Sequence, residues 1–88
     1  MEYAEYSVYC GVEIYSLFQM LLGGESCEAA LEEKDGQLIK AEMKVDEIRR
    51  VNNDAVQANG EIVFDDKRKK QRYVALFRRR GKSTLKIL

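Results

Sequence analysis

From Gln37 to Val45 apolar residues recur at every second position, and the chain contains no proline. Ile39, Ala41, Met43 and Val45 fall on one parity, and Lys40, Glu42 and Lys44 on the other. A period of two is that of side chains on a strand with one face buried. Proline has no N–H to give to a ladder, so its absence fits strands that pair along their whole length. Further strands are expected at "EIVFD" (61–65), "QRYVALFR" (71–78) and "STLKIL" (83–88), with a charged turn after the first. Residues 73–77, Tyr-Val-Ala-Leu-Phe, are apolar on both parities, which marks a strand covered on both sides or one whose outer face joins a second copy in a homodimer. "RRVNNDAVQANG" (49–60) is rich in Asn, Asp and Gly and reads as a loop.

The first half has a different rhythm. Over residues 8–22, Ile14, Tyr15, Leu17, Phe18, Leu21 and Leu22 fall within one arc of about 160° at helical spacing. Gly23 and Gly24 stop that helix. A short strand over 3–9 competes for the segment before it. For 27–34, Ser26 as a cap and Ala29, Ala30, Leu31, Glu32 and Glu33 as helix formers predict a second helix. The rival is a strand closing a hairpin at Asp35–Gly36. The expected fold is therefore α+β: one or two N-terminal helices packed on an antiparallel sheet of about four strands. If 28–33 is a strand, a small β-barrel with an N-terminal helix takes its place. The expected core is Leu17, Phe18, Leu21, Ile39, Val45, Phe64, Val74 and Leu76.

At 88 residues, 1–88 reads as a single small domain, and 45% hydrophobic content is ordinary for a globular chain. Glu2 and Glu5 stand where a secretory leader needs bases, so a cytoplasmic setting with Cys10 and Cys27 reduced is expected. "VEIYSLFQMLL" is too short to span a bilayer and carries Glu13 and Gln19, so no membrane contact is expected.

Net charge is zero, but it is unevenly spread along the chain. Residues 1–48 carry eleven acids and three lysines, a net of −8, and residues 49–88 carry twelve bases and four acids, a net of +8. Such asymmetry points toward nucleic acid. The same pattern also arises when acidic and basic strands simply pair in one sheet.

No catalytic set emerges. There is no histidine, hence no imidazole base or metal ligand, and two cysteines fall short of the four ligands of a closed zinc site. "GKST" (81–84) has Leu76 where a phosphate loop needs its first glycine, and no room for the helix that must follow. The adjacent acids Glu32–Glu33 and Asp65–Asp66 point to opposite faces if in strands. The chain reads as non-enzymatic, with no cofactor and no metal.

What remains is the basic C-terminal region. Lys67, Arg68, Lys69, Lys70 and Arg72 crowd one turn, and Arg78, Arg80 and Lys82, with Arg79 between them, crowd the next. On a β-ribbon such residues can follow a phosphate backbone. Tyr73 and Phe77 interleave with the bases and share one face with Ala75; if that face is core, they offer no stacking platform. The two turns lie at opposite ends of the intervening strand, roughly 20 Å apart. Lysines at turns and edges also serve to repel foreign strands, but three arginines in a row exceed that need. The expected partner is nucleic acid, bound through Lys67, Arg68, Lys69, Lys70, Arg72, Arg78, Arg80 and Lys82, with Arg79 contributing less. That makes the chain a binding or regulatory protein of nucleic acid; the competing reading is an inhibitor or adaptor that binds protein through the acidic N-terminal half or an exposed sheet face.

Overall fold

A computed structural model describes residues 5–9, 14–65 and 69–88, apart from the side chains of Tyr9, Ile14 and Tyr15. The elements are β1 (Glu5–Tyr9), α1 (Ile14–Gly23), β2 (Cys27–Glu32), β3 (Leu38–Met43), β4 (Glu47–Asn52), β5 (Ala55–Phe64), β6 (Lys70–Arg78) and β7 (Ser83–Ile87). Every pairing is antiparallel. The sheet runs β3-β2-β1-β7-β6-β5-β4, and β3 also pairs with β5. That last pairing closes β1, β2, β3, β5, β6 and β7 into a six-stranded barrel, leaving β4 as a flap on β5.

The α+β expectation is thus overturned in favour of the barrel. The deciding segment is 27–34, a strand and not a helix. Ala29 and Ala30 favour helix in isolation, but β2 is paired along both edges, with Ser7↔Glu32 to Tyr9↔Ala30 on one side and Cys27↔Met43 to Glu32↔Leu38 on the other. Two ladders outweigh a few tenths of a kcal/mol of propensity per residue. The β2–β3 hairpin turns at Gly36, whose φ of 87° is open to glycine at little cost.

The segment read as a loop, 49–60, is a second hairpin. Asn52 pairs with Ala55, so Asn53 and Asp54 form a two-residue turn, the kind that Asn and Asp favour. The Asn52 side-chain oxygen accepts the Asp54 N–H at 2.8 Å.

Six strands enclose a narrow interior, so large and small side chains must alternate around it. Ala29↔Ala41 and Ala58↔Ala75 are cross-strand alanine pairs, all four residues buried. Leu31, Met43, Ile62, Phe64, Tyr73, Phe77 and Leu85 fill the space they leave. Tyr6 and Phe64, on non-adjacent strands, meet with ring centroids 5.5 Å apart.

Within β6 the buried parity is Tyr73, Ala75 and Phe77; Val74 and Leu76, expected in the core, lie half-buried on the outside. Leu17, Val45 and Phe64 are buried as expected, Leu21 and Ile39 are half-buried, and Phe18 is 44% exposed.

β3 and β4 run as one bent edge along β5. The Lys44 N–H donates to Glu61 O and the Asp46 N–H to Asn59 O, keeping the ladder continuous through the bend. Gly60 sits at its inside, where a Cβ would fall within the Lys44 carbonyl. α1, which joins β1 to the start of β2, packs on β4 and β5, and its Leu17 and Met20 are buried in the core and plug that end of the barrel. Among the described residues no helix is long and apolar enough to cross a membrane.

Candidate nucleic-acid interface

Antiparallel connectivity sorts the turns between the barrel's two ends. The β4–β5 turn (53–54), the β6–β7 turn (79–82) and α1 lie at one end, while the β2–β3 turn (33–37) and residue 69, where β6 begins, lie at the other. The two basic groups are therefore separated by the length of β6, as the strand geometry implies.

At the α1 end, two turns are tied together. The Arg79 N–H donates to Asp54 O at 2.7 Å, and the Arg78 N–H donates to Ser83 Oγ at 2.9 Å. Arg50, on β4, donates from Nε to Asn52 O at 3.4 Å and from Nη2 to Asn53 Oδ1 at 3.1 Å. The β4–β5 turn thus separates two grooves. Arg78 and Arg80 line one with Asn52, Asn53, Asp54 and Ala55. Arg79 lines the other with Arg50, Phe18 and Val56. Lys82 is exposed in the same β6–β7 turn. Among the described residues Arg50, Arg78, Arg79, Arg80 and Lys82 have no carboxylate partner, and Asp54 is the one acid of the two turns.

The other group fares differently. Lys67 and Arg68 lie outside the described residues. Arg72 donates from Nη1 to Asp46 Oδ2 at 2.6 Å, a charge-assisted pair across the β3–β4 bend. Lys70 shares a groove with Glu42 and Glu61. Lys69 is exposed next to it. Acids from the first half of the chain therefore stand beside this group, as cross-strand pairing requires. Arg78, Arg80 and Lys82 are thus brought together, and Lys69, Lys70 and Arg72 are set apart from them.

Tyr73 and Phe77 face the core, 0% and 1% exposed, so neither is a platform for a base. Tyr73 donates its hydroxyl to Lys44 O at 2.7 Å. Burial, reinforced by the Asp46 carboxylate, pushes that phenol well above the usual tyrosine range. Cys27 is a free thiol. Burial first, and then the Glu28 carboxylate, raises it above the ordinary thiol value, which disfavours a reactive thiolate.

Arg50 and Phe18 are residues that sequence reasoning leaves out of the site. Arg50 is hidden inside the supposed loop; the Asn53–Asp54 dipeptide flanked by alternating residues is the signal for its hairpin. Phe18 carries no such signal, because its helical arc reads as core.

No family model matches the chain, and no curated protein or solved structure matches it.

Proposed function

We propose that this chain is a non-enzymatic binding domain that contacts the backbone of a nucleic acid through the arginine-rich end of its barrel. One observation carries the reading: Arg79 and Arg80 of the β6–β7 turn, Arg78 at the end of β6 and Arg50 on β4 line two neighbouring grooves whose single acid is Asp54. Turns of a barrel end are exposed, and a few bases there suffice for solubility. Arginine in this number supplies forked donors that match phosphate oxygens, and each neutralised phosphate releases counterions. The absence of histidine from the sequence supports a binding role over a catalytic one.

The test is binding of a fluorescent mixed-sequence duplex and a single strand across a salt series. The protein should bind at low salt and weaken linearly in log–log terms. Replacing Arg78 and Arg80 together with Gln should flatten the slope by about 2, one for each phosphate no longer neutralised. The fold should survive, because exposed arginines contribute little to stability. If the unaltered protein binds neither strand at low salt, the reading fails, and the groove at the opposite end, where Glu5, Glu32 and Glu33 stand with Lys34, becomes the place to seek a protein partner.

A further inference from the structure

Phe18 is the anomaly of α1. Its neighbours Leu17 and Met20 are buried, yet Phe18 stays 44% exposed beside a hairpin that could have covered it. It lies in a groove of about 180 Å³ with Val56 and Ala55, and Arg50, Arg79, Asn52 and Asn53 stand around it. That volume is below the roughly 300 Å³ at which small-molecule pockets begin, so it suits one flat ring system and not a cofactor. An apolar face flanked by guanidinium groups matches a nucleobase flanked by its phosphates. Arg50 is held by the turn through two of its donors, which leaves others for a phosphate and limits the ordering cost of binding. The Asn53 side-chain oxygen is engaged by Arg50 and that of Asn52 by the Asp54 N–H, so both amides keep N–H donors for a base edge.

Resting on the nucleic-acid reading above, we infer that this groove takes one unpaired base of a single strand, with Phe18 as the stacking face and Arg50 and Arg79 on the flanking phosphates. Single strands are then preferred over duplex, since a duplex keeps its base faces within its own stack. Arg79, expected from the sequence to matter less than its neighbours, becomes a direct contact.

The chain contains no tryptophan, so Phe18→Trp installs a lone indole in the groove. Its emission should be quenched by an oligothymidine strand, and not by an abasic sugar-phosphate strand or by heparin, both of which should still bind through the arginines. Phe18→Ala should weaken the oligothymidine complex by about tenfold or more and leave the abasic strand's affinity unchanged. An indole signal that does not move while the strand binds overturns the groove assignment and leaves the arginine reading intact. A signal that changes with protein concentration alone gives the groove to a second copy and overturns the assignment too. Failure of every polyanion to bind sinks both readings together.

Discussion

Gly60 and Tyr73 face each other across the β5–β6 ladder, and together they hold the β3–β4 bend against the barrel. Gly60 lets the Lys44 backbone approach where any side chain would collide with it, and Tyr73 satisfies the Lys44 carbonyl. Gly60→Ala should therefore cost about 3 kcal/mol, the upper end of overpacking effects, seen as a fall in thermal midpoint. Tyr73→Phe should cost about 1 kcal/mol near neutral pH, the worth of one hydrogen bond. The tyrosine also adds a pH dependence. Its folded-state value lies above the unfolded value of about 10, so above that pH the folded chain keeps a proton that the unfolded chain has released. Its contribution is whole below about pH 10 and fades as pH rises further. Thermal midpoints across the alkaline range should fall more gently for Tyr73→Phe than for the unaltered chain.

α1 works as a plug and as one wall of a groove, and its two faces divide those roles. Leu17 is fully buried, so Leu17→Ala should cost about 2–5 kcal/mol, because the apolar side chain leaves a cavity that its neighbours fill only in part. Leu22, 87% exposed, should tolerate alanine within about 0.5 kcal/mol. Urea unfolding of the two variants checks this, and equal midpoints would place the helix elsewhere. β4 shows the same division. Ile48 turns toward the core, Arg49 pairs with Glu47 at 3.8 Å on the other parity, and the irregularity between Arg50 and Asn52 leaves Val51 exposed.

At the scale of the whole molecule, 31 × 26 × 26 Å, zero net charge conceals ends of unlike character. One carries Arg50, Arg78, Arg79, Arg80 and Lys82 with Asp54 as the acid of its two turns, while the other mixes signs, with Glu5, Glu32, Glu33 and Asp35 beside Lys34, Lys69 and Lys70. On the proposed function, a base-rich end of this kind would steer a polyanion toward that end. The layout also sorts the bases by consequence. Lys70→Gln with Arg72→Gln removes as much charge as the Arg78 and Arg80 pair, but from groups that already sit beside Asp46, Glu42 and Glu61. The salt slope of nucleic-acid binding should then stay near its original value, measured by an anisotropy series. An equal flattening for the two double variants would mean that the ligand spans both ends.

The alternation from Ile39 to Met43, the strands near 71–78 and 83–88, the second part of β5 over 61–64, and the shared parity of Tyr73, Ala75 and Phe77 were legible because a half-buried strand writes its period into its own residues, whereas the first part of β5 was read as loop. So was the crowding of Arg78, Arg79 and Arg80. What stayed hidden depended on partners distant in the chain. Ala29 and Ala30 favour a helix until β1 and β3 pair with them on both sides. Whether Tyr73 or Val74 faced inward was settled by barrel closure through β3 and β5, an event recorded in no single segment. The neutralisation of Arg72 needed Asp46, 26 residues away, and the exposure of Phe18 needed a hairpin that its own helix cannot foretell. Local periodicity is a property of neighbours in sequence, whereas closure, charge pairing and the choice of face arise only once remote strands share one core.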